Sequence, residues 1–287
     1  MPELPEVETV RLQLLRKVVG RTIADVGVLH PKSVANDDNF QGRLAGKTIE
    51  HIDRVGKLMI FSFKNENDLY LLAHLKMTGQ FFFVDTRGDV VGGGHTFTKV
   101  DLKLPTKHTR VVFRFTDGTT LYFNDMRLFG YTKLADAEAA FLARSGYGPE
   151  PIDPNFDCEW FVTEVRRRKA PIKAVLLDQS FVAGLGNIYA DEALWHAKIR
   201  PTRRADTLTR KEAAALATAA RDVLQESITA GGTTFQHFAD TNGDPGNFID
   251  HLKVFGKQGE ACERCGTTIK KIRTAGRGTH YCPGCQK

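Results

Sequence analysis

Four cysteines near the C-terminus constrain this chain more than any other feature. Cys262 and Cys265 form one close pair and Cys282 and Cys285 another, with 16 residues between the pairs. Soft thiolates converging from two short turns match tetrahedral zinc. Gly266 and Gly284 accompany the pairs, as tight knuckle turns require. The competing reading is two disulfides, which suit an oxidising compartment. The N-terminus lacks the basic, apolar and small-residue regions of a secretory signal, so a cytoplasmic location is expected and zinc is favoured. With all four thiolates committed, the metal is expected to be structural. His280, the other candidate ligand nearby, reads as a surface residue. Cys158, beside Trp160 and Phe161 in a helical pattern, reads as a buried spectator.

At 287 residues the chain can build two domains, each with its own core. Runs such as Leu69 to Leu72 and Phe81 to Val84 are far too short to cross a bilayer, so no membrane partner is expected. Leu4, Val7, Val10, Leu14 and Val18 recur at steps of three and four, which predicts an amphipathic helix ending near Gly20. From Thr22 to about Tyr131 the pattern changes to short β-type runs: 58–63, 69–72, 81–84, 110–115 and 119–123. Asp117-Gly118 reads as a hairpin turn between the last two, and many short strands argue for a sandwich or barrel. Arg87 to Gly94, with four glycines, reads as a mobile surface loop. It lacks the strand–loop–helix setting of a phosphate cradle, so no nucleotide cofactor is expected.

A breaker-rich linker, Ser145 to Pro154, leads into helical patterns at about 158–168, 171–177, 188–196 and 209–230. Thr209 with Glu212 has capping-box spacing, and Gly231-Gly232 supplies the stop. The polar stretch Gly231 to Gly246 reads as a connector or, given its length, as a lid or binding loop.

The net charge of +6 hints at a polyanionic partner. Arg166 to Lys169 fit a solvated helix face as well as a phosphate contact. Lys270, Lys271, Arg273 and Arg277 are more telling because they lie inside the four-cysteine hairpin, where they suit a nucleic-acid backbone. At the other end stands Met1-Pro2-Glu3-Leu4-Pro5-Glu6-Val7-Glu8. Once Met1 is removed, Pro2 carries a secondary amine, and α-amino groups titrate near ~7.7–8.0. With Glu3 as a proton donor, that amine suits Schiff-base chemistry on a sugar. Taken alone, the stretch reads more simply as a helix start, with carboxylates at the positive end of the dipole. Lys57 at a strand end, Met77 in a core position, and Arg127 with Phe129 in a turn each have an equally plain structural reading. Gly184-Leu185-Gly186-Asn187 is too short for a dinucleotide fingerprint.

In combination these motifs are distinctive. Pro-Glu-Leu-Pro-Glu-Val-Glu-Thr at 2–9, Gly-Asn-Ile-Tyr-Ala-Asp-Glu at 186–192, Gly-Gly-Thr-Thr at 231–234, Ala-Gly-Arg-Gly-Thr at 275–279 and the four-cysteine finger occur in order. The whole chain resembles the formamidopyrimidine-DNA glycosylases, bacterial base-excision repair enzymes for oxidised purines. The resemblance implies an α+β protein of two domains. A β-sandwich with flanking helices would occupy 1–135 and a linker 136–155. A helix–two-turns–helix domain would occupy 156–252 and the zinc finger 253–287. It implies a bifunctional glycosylase and abasic-site lyase for formamidopyrimidines and 8-oxoguanine. In it, Pro2 attacks the anomeric carbon, Glu3 donates a proton, Lys57 serves β-elimination and Arg277 δ-elimination. His108, Arg127 and Lys169 fall where the family binds DNA, and Asn187 and His74 where it holds phosphates. Met77, Arg127 and Phe129 match the residues that fill the gap left by an extruded base. One structural zinc, damaged double-stranded DNA as partner and a monomeric state complete the expectation, with association to the nucleoid when DNA-bound.

The chain departs from the family pattern at Lys76, Leu128 and Gln236, the last within the lesion-recognition loop. Two alternatives follow. An endonuclease VIII-like enzyme for oxidised pyrimidines usually begins Pro-Glu-Gly-Pro-Glu, so Leu4 speaks against it. A non-catalytic zinc-finger DNA-binding protein would have no use for Pro2, Glu3 and Lys57.

Overall fold

The computed structural model describes residues 1–94, 103–233 and 248–287. Gln236, and the 231–246 stretch beyond Thr233, lie outside the described residues. The chain divides into two compact units, Met1–Ser145 with Ala230–Ile249, and Gly146–Thr229 with Asp250–Lys287.

The first unit begins with α1 (Leu4–Val18), whose Val7, Val10, Leu14 and Val18 are all buried, as their spacing requires. Then follow β1 (Ile23–Val28), α2 (Phe40–Leu44), β2 (Ile49–Val55), β3 (Leu58–Phe63), β4 (Tyr70–His74), β5 (Gly79–Val84), β6 (Val90–Gly94), β7 (Thr109–Phe115), β8 (Thr120–Asp125), β9 (Tyr131–Ala135) and α3 (Ala137–Ser145). Two antiparallel sheets result, with strand orders β1-β7-β8-β5-β6 and β2-β3-β4-β9. Their inner faces share one core. Phe61 of β3 meets Phe81 of β5 with ring centroids 6.3 Å apart, and Phe81 meets Phe123 of β8 at 5.2 Å. Fully burying such side chains stabilises by about 1.5–3 kcal/mol each before chain entropy is counted. Of the sandwich or barrel expected from the short strands, the sandwich is therefore the one present. The glycine-rich stretch is not a loop throughout. Residues 90–94 pair with β5 in register Val84↔Val90 to Gln80↔Gly94. Strand pairing uses only backbone groups, so the open edge of β5 overrides the low β-propensity of glycine.

The second unit is helical: α4 (Cys158–Val165), α5 (Ile172–Leu177), α6 (Asn187–His196) and α7 (Arg210–Thr229). Asp157 caps α4, accepting the Glu159 and Trp160 N–H groups at 2.9 and 3.0 Å. Thr209 and Glu212 form the expected capping box. Glu212 Oε2 accepts Thr209 N–H at 2.8 Å, and Thr209 Oγ1 accepts Glu212 N–H at 3.2 Å. Val162 and Val165 of α4, Leu194 of α6 and Leu216, Ala220 and Leu224 of α7 are buried, and α7 packs on both α4 and α6. Cys158 is exposed, contrary to the reading as a buried spectator. It opens the first turn of α4, whose apolar stripe begins only at Phe161. The unit ends in the hairpin β10 (Lys270–Thr274) and β11 (Arg277–Tyr281), which the four cysteines flank.

Candidate functional site

In the first unit, Pro2 and Glu3 lie at the head of α1, both buried, with Met1 half-exposed before them. Glu6 was legible only as a helix-starting acid. Its carboxylate takes two backbone donors, Glu3 N–H at 2.8 Å and Thr233 N–H at 2.9 Å. It thereby ties the head of α1 to the root of the 234–247 segment. One turn on, Glu8 binds Arg11, and also Arg54 Nε at 2.7 Å. Burial raises the Glu8 pKa, but the hydrogen bonds and charges of Arg11 and Arg54 outweigh it and hold the carboxyl below its ordinary range. Arg54 Nη1 then donates to Gly56 O at 2.9 Å. That chain of contacts braces the two-residue turn between Val55 and Leu58 against α1, and the turn carries Lys57. Lys57 is buried, not solvated as a strand-end lysine ordinarily is.

The register of the 4-stranded sheet sets Leu58 opposite His74, and His74 opposite Tyr131. Burial, with the positive charges of Lys76 and Lys57, drives the His74 pKa down to about 3. Its ring is neutral near pH 7, and Nδ1 accepts the Lys76 N–H at 3.0 Å, leaving Nε2–H as the donor. In the other sheet Gly79 pairs with Asp125. An added Cβ at Gly79 would lie 2.5 Å from Leu75 O, so the chain can fold back there only on glycine.

Asp125 was missed by sequence reading, although it is the hub of this edge. It is fully buried. Oδ1 accepts the Thr78 hydroxyl and the Arg127 N–H, and Oδ2 accepts the Gly130 N–H at 2.7 Å. Its own N–H donates to His108 O at 2.9 Å. One carboxylate thus fixes the 126–130 turn, with Leu128 in the left-handed region, and joins it to Thr78, the neighbour of Met77. Phe129 is held 54% exposed, with the Arg127 guanidinium 4.8 Å from its ring centroid. Lys57, His74, Met77, His108, Arg127 and Phe129 therefore gather along one edge of this unit.

In the second unit Asn187 starts α6, and its Nδ2 donates to Gly278 O at 2.9 Å, beside Arg277. Arg277 is exposed at the end of a two-residue turn, Ala275-Gly276, whose residues both have positive φ. Beneath the hairpin lies a charge cluster that sequence reading did not foresee. Lys173 Nζ is 2.7 Å from Asp191 Oδ1, both side chains fully buried, and donates to Thr279 Oγ1 at 2.9 Å and Gly278 O at 3.3 Å. Asp191 Oδ2 accepts the His280 N–H at 2.8 Å. His280 is buried, contrary to its reading as a surface residue. Its ring packs edge-on against Phe255 at 4.8 Å. The adjacent Glu192 accepts the N–H groups of Lys253, Val254 and Phe255 at 2.8–3.0 Å. Lys169 is exposed on the turn after α4.

The Sγ atoms of Cys262, Cys265, Cys282 and Cys285 all lie within 4.8 Å of one another, with Cys265–Cys282 at 3.4 Å and Cys262–Cys285 at 3.9 Å. A tetrahedron with Zn–S bonds of about 2.3 Å has S···S edges of about 3.8 Å, so the four suit one zinc ion. Gly284 leaves no room for a side chain, since an added Cβ would be 2.3 Å from Thr267 Oγ1 and 3.1 Å from Cys265 Sγ.

Three family profiles match the chain. The formamidopyrimidine-DNA glycosylase N-terminal domain matches residues 1–132, the formamidopyrimidine-DNA glycosylase H2TH domain 147–239, and a zinc finger found in FPG and IleRS 259–287. The chain is 44% identical to the formamidopyrimidine-DNA glycosylase of Lactiplantibacillus plantarum, over 99% of this chain and 98% of that protein. It is similar in structure to a Lactococcus lactis FPG mutant in complex with Fapy-dG-containing DNA, with a TM-score of 0.87, 36% identity and full coverage of both chains. The wild-type Lactococcus lactis FPG bound to DNA containing an oxidised pyrimidine gives a TM-score of 0.86 at the same identity and coverage.

Proposed function

The chain belongs to the formamidopyrimidine-DNA glycosylase family, and we propose that it excises formamidopyrimidines and 8-oxoguanine from duplex DNA through a Schiff base on Pro2. As a member it is a DNA glycosylase and abasic-site lyase of base-excision repair. A base inside a duplex is out of reach, so it must be flipped out, and side chains that occupy its place offset part of the lost stacking. Met77, Arg127 and Phe129 are assigned that task. The observation that carries the reading is the exposed Phe129 on a turn held rigid by a buried carboxylate, since a wedge must stand in solvent yet not yield.

Removal of Met1 turns the Pro2 nitrogen from an amide into an amine. That nitrogen bonds to C1′, the bond from C1′ to the base breaks, and the proton shed by the nitrogen leaves with the base. Glu3 protonates the ring oxygen as the sugar opens, giving a C1′ iminium. The iminium acidifies the C2′ proton. Loss of that proton expels the 3′-phosphate, and a second elimination expels the 5′-phosphate. Lys57 is assigned to the first elimination and Arg277 to the second. His108, Arg127 and Lys169 bind the DNA backbone, and Asn187, at the positive end of α6, holds a phosphate. His74 contacts phosphate as a neutral Nε2–H donor. The zinc held by the four cysteines fixes the fold of the finger that carries Arg277. We read the enzyme as a monomer that needs no nucleotide cofactor, working in the bacterial cytoplasm and on the nucleoid when DNA-bound.

Borohydride trapping on damaged duplex tests the scheme. A covalent adduct is expected from protein lacking Met1 and not from Pro2→Gly or from protein retaining Met1. Absence of an adduct with processed protein sinks the enzyme mechanism. The Lactococcus complex with an oxidised pyrimidine motivates a second comparison. Excision of 8-oxoguanine is expected to exceed that of thymine glycol in matched duplexes, and the reverse order overturns the purine assignment.

A further inference from the structure

Among the described residues, Trp195 and Arg264 stand outside the cysteine set and donate to its sulfur atoms. Trp195, near the end of α6 and 4% exposed, donates its indole Nε1–H to Cys262 Sγ at 3.4 Å. Arg264, between the first two cysteines, donates Nη1–H to Cys285 Sγ at 3.5 Å and to the Trp195 carbonyl at 2.9 Å. Its guanidinium carbon lies 3.7 Å from the Trp195 ring centroid, a close cation–π stack. Trp195 also shares a small core with Val254, Cys262, Ile269 and Cys282.

Four thiolates around one zinc leave a net negative charge on the sulfurs. Groups that donate to those sulfurs and carry positive charge stabilise the loaded site and orient its ligands. We propose that Trp195 and Arg264 form the outer shell of the zinc site. In this arrangement Trp195 brings a donor from α6 to Cys262. Arg264 neutralises part of the thiolate charge at Cys285, and the stack of the two side chains holds both donors in place. Helix α6 starts with Asn187 and brings Trp195, near its other end, against Cys262, so the same helix links the proposed phosphate contact to the cysteines that would hold the zinc. The inference rests on the zinc reading above and assigns Trp195 and Arg264 as positioning residues.

Trp195→Phe keeps the ring and removes the N–H, whereas Arg264→Gln removes the charge and the stacked cation. In chelator competition against full-length protein, each variant is expected to bind zinc roughly 10- to 100-fold more weakly than the parent. The parent and variants are also loaded with cobalt(II) in place of zinc. A hydrogen bond lowers the energy of the sulfur lone pairs. Its loss in Trp195→Phe should therefore move the thiolate-to-cobalt absorption to longer wavelength, a change that loosened packing alone does not produce. Zinc affinities within about twofold of the parent in both variants, or an unmoved cobalt band in Trp195→Phe, overturn the proposal. A parent protein that fails to take up one equivalent of zinc brings down the zinc reading itself, and that result is separate from any variant.

Discussion

Replacing Asp125 by asparagine tests the wedge argument at its support. The carboxylate takes Thr78 Oγ–H and Arg127 N–H on one oxygen and Gly130 N–H on the other, all within a fully buried site. Asparagine has the same shape but a single acceptor oxygen. In its better orientation the amide carbonyl keeps Thr78 and Arg127, and its NH2 group faces the Gly130 N–H. Leaving that N–H unpaired costs about 1–3 kcal/mol, and turning two charge-assisted bonds into neutral ones removes roughly 1 kcal/mol more. The neutral side chain is easier to bury, which offsets part of this. A net loss of about 2–3 kcal/mol is expected, or a fall in Tm of roughly 5–10 °C for a unit of this size. Thr78→Val removes one donor and leaves both oxygens in use, so about 1 kcal/mol is expected there.

The functional consequence follows from what the turn carries. With Gly130 released, Arg127 and Phe129 no longer stand in one conformation, and a duplex lesion must be extruded without a preformed wedge. Single-turnover excision from duplex DNA is expected to fall about 10- to 100-fold, which corresponds to about 1.4–2.7 kcal/mol of barrier. An abasic site in a single strand has no stacked base to displace, so borohydride trapping there should fall less than about threefold. Equal losses on both substrates, or an Asp125→Asn protein as stable as the parent, refute the bracing role.

Lys173→Met leaves Asp191 charged and buried, and a loss of about 3–5 kcal/mol is expected in denaturant unfolding. Combining it with Asp191→Leu should cost less than Lys173→Met alone, and additive losses would exclude the pair as a unit. The folded protein keeps His74 neutral down to about pH 3, whereas the unfolded chain protonates it near its ordinary 6.5. The unfolded state therefore binds the extra proton, and stability should fall between about pH 6.5 and 3 by up to about 1.4 kcal/mol per unit. His74→Gln should flatten that part of the curve, and an unaltered curve rules His74 out. Arg54→Met frees the Lys57 turn from Glu8 and is expected to slow abasic-site cleavage roughly tenfold through misplacement alone. Unchanged cleavage removes Arg54 from the argument. Cys265→Ser should release zinc and weaken DNA binding, and undiminished affinity in zinc-free protein contradicts a structural role for the metal.

What could be read in the sequence depended on how far apart the partners are. The apolar period of α1, the Thr209–Glu212 cap and the paired cysteines are written within a few residues, so their physics is visible locally. Asp125 finds Thr78 47 residues away, Lys173 finds Thr279 106 residues away, and Trp195 finds Cys262 67 residues away. No spacing rule announces such pairs, because strand register and helix packing alone bring them together. The same distinction explains the local misreadings. His280 is buried because Asp191 holds its backbone from another element. Residues 90–94 form a strand because β5 offers an open edge. Proposed chemistry and support are accordingly separate in this chain. Pro2, Glu3, Lys57 and Arg277 are recognisable by motif, and each rests on a residue whose supporting contact no motif states. Glu6 anchors the head of α1, and Arg54 braces the Lys57 turn through Glu8. Asn187 and Lys173 fasten the Arg277 hairpin at Gly278. Substitutions at Arg54 and Lys173, which lie outside the motifs, should change the placement of the motif residues while leaving the motifs intact, so a chain can keep the family signature and still lose the geometry the reaction requires.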